Sequence, residues 1–347
     1  MNESSPPRVI GLGESLLRLS APGHERLEQA AHLQVHVGGA ELNALIGAAA
    51  LGLSATWVSR LADNPLGRRV AAHAATYGVR SIVDWDPDAR APLYFVEHGA
   101  PPRPSEVLYD RSGTAMVGLG SGTFPWQRLV AGADAVLCSG ITCAIGDGPA
   151  AAVNALFAAA RDAGVRTVFD VNHRSRMWSW NQAVPVLTGV LPRVDLLLAG
   201  REDLVRLLAD GDRDGDGDGG LDGGRDGGQG QVALARRAIE RFGHEMVLLR
   251  DTVQLSSRRV TVNVTAVTAD DVCTSSAYEA EVVDAFGTGD AALAAFLSGR
   301  LSGEDLEACV DKAAWAGAFQ HTVSGDAWQA RPSELARRGA PARRILR

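Results

Sequence analysis

The chain has 347 residues, 46% of them hydrophobic and 22% charged, with a formal charge of −7. That is room for one large α/β domain or two of roughly 100–200 residues each, and ample chain to bury a core. Of the 34 basic residues only Lys312 is a lysine; this excludes a GxxxxGK[ST] phosphate loop and the nucleotide-gripping lysine of a protein kinase, so any phosphate chemistry must use Arg, backbone amides or metal.

In chain order, aliphatic runs at 9–12, 55–59, 135–139, 167–171, 196–198 and 246–249 read as strands. Ala-rich periodic runs at 40–51, 66–77, 149–163, 232–242, 290–300 and 306–320 read as helices. Strands alternating with helices of this length predict βαβ units, hence an α/β fold of three layers, Rossmann-like, with a parallel sheet covered on both faces. Ligands in such sheets bind beyond the carboxyl ends of the strands. Two segments, 15–37 and 91–116, alternate without crossover helices and are rich in Pro and Gly. They predict a small β-sheet lid on a single domain spanning 1–347, suited to excluding water from a transfer reaction.

Residues 210–231 hold seven Asp, two Arg and ten Gly, and so carry five of the seven net negative charges. The composition predicts a disordered acidic surface insertion. Its Asp212-x-Asp214-x-Asp216-Gly217 imitates the start of a calcium loop, but Gly223 stands where the bidentate Glu belongs. The remaining chain is nearly neutral, so no nucleic-acid partner is expected. Cys138, Cys143, Cys273 and Cys309 form no CxxC pair, which fits reduced thiols and a cytoplasmic location. The N-terminus lacks a signal pattern, and the longest uncharged stretch, 42–59, is interrupted by Asn43, Ser54, Thr56 and Ser59; no membrane association is expected.

The stretch Asp284-Ala285-Phe286-Gly287-Thr288-Gly289-Asp290 leads directly into an Ala/Leu helix. A glycine turn feeding a helix N-terminus points unpaired amides outward with the positive end of the dipole behind them, an anion site that needs no lysine. Asp290 in that turn can take the proton of an attacking hydroxyl beside a bound polyphosphate. The plainer alternative is a tight turn with Asp290 as a helix cap.

DAFGTGD resembles the DTxGAGD signature of the ribokinase-like, PfkB-type carbohydrate kinases, and Gly38-Gly39-Ala40-Glu41-Leu42-Asn43 resembles their first signature. The resemblance runs from about Val9 to Asp326. Within that family the segments Tyr94-Phe95-Val96-Glu97, Pro101-Pro102-Arg103-Pro104, Tyr109-Asp110-Arg111 and Asp170-Val171-Asn172-His173-Arg174 are similar to those of 2-keto-3-deoxygluconate kinases. The resemblance implies a ribokinase-like fold and an ATP- and Mg²⁺-dependent kinase acting on the terminal hydroxyl of a keto-sugar acid. It implies that Gly38, Gly39 and Asn43 hold sugar hydroxyls and that Tyr94 and Tyr109 line the sugar site. Arg111 and Arg174 would bind the acid and keto end, and Asp290 would be the base. Gly287, Thr288 and Gly289 would stabilise the transferred phosphoryl group. Asp284, Arg250 and Thr252, with the same glycine turn, are expected at the nucleotide, and Asp203 and Glu202 at the metal through water. Relatives pair their lid strands across a two-fold axis, so a homodimer through the lid is expected.

The departures from the family cluster in the nucleotide half. Gly200 and Asp203 replace the usual Asn and Glu. Arg250-Asp251-Thr252-Val253-Gln254 stands where a glycine turn is usual, with an acidic side chain near the phosphates. Thr288 takes the place of Ala, Ala285-Phe286 that of a Thr-containing pair, and Trp315 is placed to narrow the adenine pocket. These departures leave two alternatives to the sugar-acid kinase: a non-catalytic sugar-acid-binding homologue, and a kinase for a neutral sugar such as fructose or ribose.

Overall fold

The computed structural model describes residues 5–209 and 229–338. Most of the acidic Gly/Asp segment, including its calcium-like run, therefore lies outside the described residues; residues 229–231 form the first turn of the helix Gln229–Phe242.

The chain opens with β1 (Arg8–Leu12), β2 (Leu16–Ser20) and β3 (Gln34–Gly38), followed by the helix Ala40–Ala50. Next come β4 (Ser54–Ala62), the helix Pro65–Thr76, β5 (Arg80–Asp86), β6 (Leu93–Glu97) and β7 (Glu106–Asp110). Then β8 (Ala135–Ser139), β9 (Arg166–Asp170) and β10 (Leu196–Ala199) alternate with helices that include Asp147–Asp162, Trp180–Val190 and Arg201–Leu208. After the helix Gln229–Phe242 the chain forms β11 (Met246–Ser256), β12 (Arg259–Val267), β13 (Val272–Thr274) and β14 (Tyr278–Glu281). The helices Thr288–Leu301 and Leu306–His321 follow.

The main sheet runs β13-β12-β11-β10-β9-β8-β1-β4-β5, with β14 also on β12. From β5 to β11 every pairing is parallel. Successive side chains on a strand point to opposite faces, and here each face has its own helices. Ile10, Val136, Phe169 and Leu197 enter the core beneath Asp147–Asp162, Trp180–Val190 and Gln229–Phe242. Val9, Leu137, Val168 and Leu196 enter the one beneath Ala40–Ala50, Thr288–Leu301 and Leu306–His321. This is the expected three-layer architecture. Both expected lid segments join a separate four-stranded sheet, β3-β2-β6-β7.

Local chemistry sets several boundaries. Asn64 caps the helix Pro65–Thr76 by accepting from the amides of Leu66 and Gly67, with Pro65 in the first turn. Ser179 and Gln182 form a capping box. That helix, Trp180–Val190, carries Pro185 in its interior, a residue that ordinarily argues against a helix. The larger surprise is β11. It continues to Ser256 because β12 pairs with it antiparallel along its length, so no turn forms at Arg250.

Candidate active site

The carboxyl ends of β9 and β10 and the middle of β11 converge on the N-terminus of the helix Thr288–Leu301 around a cavity of about 510 Å³. Gly287, at φ 72, begins that helix. No side chain caps it, and the first helical bond runs from the Ala291 amide to the Gly287 carbonyl. The amides of Thr288 to Asp290 thus head an uncapped helix at the cavity wall, the arrangement expected of an anion site and not of a capped turn. Gly287 is fixed twice over. Its backbone is left-handed, and a Cβ there would stand 2.1 Å from the Asp326 carbonyl oxygen. Gly287→Ala is therefore expected to cost at least about 1 kcal/mol of stability, read by urea unfolding, since alanine pays for positive φ before any clash is counted; an unchanged midpoint would contradict this packing.

Asp290 lies buried in the first turn, and its Oδ2 accepts from the Asn43 side chain at 2.8 Å. Burial pushes its carboxyl up to about 7; Asp170 and Glu41 raise it further, while the Asn43 bond and Arg174 oppose the rise. A carboxyl that titrates near neutrality in a cleft is suited to general-base work. Asn43 comes from the helix Ala40–Ala50, so the two resembling motifs, far apart in sequence, meet in one hydrogen bond.

Glu41, one turn from Gly38, is fully buried. Its Oε1 accepts from the Ser139 amide, the Ser139 hydroxyl and the Thr142 hydroxyl, which locks the start of that helix onto the end of β8. Gly38 and Gly39 are small for packing reasons as well. A Cβ on Gly38 would meet Asp326 Oδ1 at 2.5 Å, and one on Gly39 the Glu14 carbonyl at 2.5 Å.

The other expected sugar-site residues divide. Tyr109 is exposed on the four-stranded sheet and stacks on Tyr94 at 5.8 Å. Tyr94 itself is buried, and its hydroxyl donates to Asp326 Oδ1 at 2.7 Å, so that hydroxyl is engaged within the protein. Arg111 is paired with Glu14. Arg174 lines the cavity and forms no ion pair among the described residues. It follows Asn172, the one non-glycine residue with positive φ among the described residues, and His173, which stacks on Trp180 at 3.8 Å.

On the nucleotide side the sequence expectations need correction in three places. Arg250, not Asp251, faces the helix N-terminus. Its Nη1 donates to Thr288 Oγ1 at 3.0 Å and its Cζ lies 3.5 Å from where a Gly289 Cβ would be, whereas Asp251 accepts from Gln231. Adjacent residues on a continuing strand face opposite ways. Trp315 does not line the cavity; it packs on Phe319 at 5.0 Å and on Trp328. Thr252 and Glu202 are exposed and outside the cavity lining, since Thr252 has left the parallel part of β11 and Glu202 turns outward in the first turn of its helix. Asp203 does line the cavity, and its Oδ2 accepts from the Gly200 amide at 2.8 Å. Asp284 is buried below the glycine turn, in an ion pair with Arg18.

Asp170, at the end of β9, opens a motif quoted above and is a candidate site residue that the sequence alone does not single out. It lines the same cavity, and burial raises it to about 6. Burial also raises Asp203 to about 6, with Asp170 and Glu202 adding to the rise. No group of three or more His, Cys, Asp or Glu among the described residues is arranged to hold a metal alone. Two carboxylates that repel each other in one cleft do fit a magnesium ion, which keeps most of its shell as water and phosphate oxygen.

The pfkB carbohydrate kinase family matches residues 8–330. The chain belongs to the PfkB family of carbohydrate kinases. It is 35% identical, over 95% of each chain, to the 2-dehydro-3-deoxygalactonokinase of Haloferax volcanii. A 2-dehydro-3-deoxygluconokinase from Thermoproteus tenax is 32% identical over 59% of this chain and 62% of its own. Among solved structures, the 2-dehydro-3-deoxygluconokinase of Thermotoga maritima superposes with a TM-score of 0.86 at 29% identity, covering 96% of this chain and 98% of that one. As a PfkB carbohydrate kinase the protein is a phosphotransferase whose acceptor is a hydroxyl group of a sugar. No helix among its described residues is long and apolar enough to cross a membrane.

Proposed function

We propose that the protein transfers the terminal phosphoryl group of ATP to the terminal hydroxyl of 2-keto-3-deoxygluconate or its galactonate epimer. The observation that carries this reading is the placement of Asp290. A buried carboxyl held by Asn43 sits in the first turn of an uncapped helix, with Arg250 and Arg174 around the same cavity. Asp290 takes the hydroxyl proton as the oxygen attacks. The helix amides and Arg250 stabilise the charge on the transferring phosphoryl oxygens. Asp170 and Asp203 would hold a magnesium ion, directly or through water; bound there, it neutralises phosphate charge. The 2-dehydro-3-deoxy sugar-acid kinases among the relatives support an acid as acceptor. So does Arg174, a guanidinium with no carboxylate partner among the described residues, a better candidate for the substrate carboxylate than Arg111, which is paired with Glu14.

The test is ADP release with magnesium and ATP over a panel of both 2-keto-3-deoxy sugar acids, fructose and ribose. Activity on the acids alone is expected. Replacing Arg174 with Met should raise KM for the acid about 10- to 100-fold, the worth of a charge-assisted contact. Turnover of fructose or ribose in preference to the acids would transfer the assignment to a neutral-sugar kinase. Tight acid binding by calorimetry with no ADP release would make the chain a non-catalytic homologue.

A further inference from the structure

The least expected charge in the molecule is Arg18. It stands in the middle of β2, in the lid sheet, yet it is 0% exposed. Its Nη2 donates to Asp284 Oδ2 at 2.7 Å, and its Nη1 lies 3.1 Å from Asp326 Oδ2. The guanidinium carbon sits 4.7 Å from the centre of the Phe286 ring. All three partners flank the glycine turn. Asp284 Oδ1 accepts from the Ala285 amide at 2.9 Å, and Asp284 Oδ2 also accepts from the Gly325 amide at 3.0 Å. Phe286 immediately precedes Gly287, and the Asp326 backbone is the surface against which Gly287 packs. Asp326 Oδ1 in turn takes the Tyr94 hydroxyl from β6 of the lid.

One guanidinium from the lid therefore touches both walls between which Gly287 is set. A buried ion pair is poor evidence of a need for stability, because apolar residues of similar volume often serve as well. What an apolar residue cannot do is hold two carboxylates from separate segments at fixed positions. The geometry points to Arg18 as a positioning residue for phosphoryl transfer: through Asp284 and Asp326 it registers the amides of Gly287 to Asp290 against the lid, so that a correctly seated lid and a correctly aimed anion site are one structural state. Phe286 belongs to this device. Its ring covers the guanidinium face, which accounts for the aromatic residue in place of the family's usual pair. This inference rests on the kinase reading for its rate measurement but not for its structural one.

Two variants test it. Arg18→Met alone strands two carboxylates in the interior and can fail to fold. Arg18→Met combined with Asp326→Asn removes one positive and one negative charge together, and so keeps the cluster's net charge. The double variant still takes the cation away from Asp284, but the Ala285 and Gly325 amides continue to donate to that carboxylate, so the variant is expected to fold with a lowered midpoint of thermal unfolding. Its kcat should fall about 10- to 100-fold, the cost of a small misplacement of reacting groups, with KM for the sugar acid within about threefold of the parent. Amide hydrogen exchange in the unliganded protein should quicken at least tenfold over residues 283–291 while β1, β8 and β9 stay protected. A folded double variant with parental kcat and parental exchange over 283–291 would overturn the proposal. A wild-type protein that turns over no sugar acid would sink the sugar-acid assignment instead, and the exchange comparison would still decide the role of Arg18.

Discussion

Asp290→Asn is expected to lower kcat about a thousandfold while leaving the protein folded, the middle of the range for a positioned general base. Asn is nearly isosteric and can keep a hydrogen bond with Asn43, so the loss isolates proton transfer from packing. The pH profile supplies the second half of the test. Burial holds the Asp290 carboxyl near 7 in the free protein, and only the ionised form can accept a proton. The rate constant kcat/KM should therefore rise with pH through about 7 and level off above it. Arg174 is among the groups that pull this carboxyl down; removing its charge in Arg174→Met should move the rising limb to higher pH. The stability consequence has the opposite sense. A carboxyl raised on folding costs stability as pH climbs from its unfolded value, near 3.8, through about 7. The stability of Asp290→Asn relative to the parent should thus improve across that window and stay constant above it. A pH-independent rate between 6 and 8, or full activity in the Asn variant, would remove Asp290 from the role.

Much of this candidate site is legible in the sequence. GTGD before an Ala-rich helix leaves two readings open, outward amides or a turn capped by Asp290; in the fold the helix begins at Gly287 and no side chain caps it. The alternation of strand and helix fixes a parallel sheet, and with it the edge where ligands bind. What sequence could not convey is long-range charge pairing. Arg18 sits in an aliphatic run and reads as an outward-facing strand residue. Its partners Asp284 and Asp326 lie at the far end of the chain, where no periodicity links them. The same blindness affects Glu41, whose three donors lie on β8 and just beyond it, and Arg111, whose partner Glu14 follows β1. Two guanidinium groups that look equivalent in the text are therefore unequal in the fold. Trp315 misleads for a simpler reason: whether a bulky residue on a helix faces a cavity or a core depends on the helix's rotation, and here it joins Phe319 and Trp328.

The nucleotide half looked weakened chiefly because a glycine turn was missing after Leu249, and Arg250 is the residue that decides whether it is. With β11 continuing straight, Arg250 and Asp251 must face opposite ways; Arg250 reaches Thr288 and Gly289, and Asp251 reaches Gln231. On the kinase reading a fixed cation beside three outward amides takes the place of the glycine turn, and the Thr288 hydroxyl accepts from that cation. Removing Arg250 should accordingly cost more than removing any other single side chain on this wall except Asp290. Arg250→Met is expected to lower kcat about 100- to 1,000-fold, comparable to losing a principal donor to a developing oxyanion, with a smaller rise in KM for ATP. Asp251→Asn, one residue along on the opposite face, should stay within about threefold of the parent in kcat. Both are measured by coupled ADP release under saturating sugar acid. If the two substitutions were equal in effect, or the acidic one the more damaging, the chain's nucleotide site would be the impaired one that its sequence suggests. A large loss confined to Arg250 means instead that the departures from the family are parts of one altered but competent anion site.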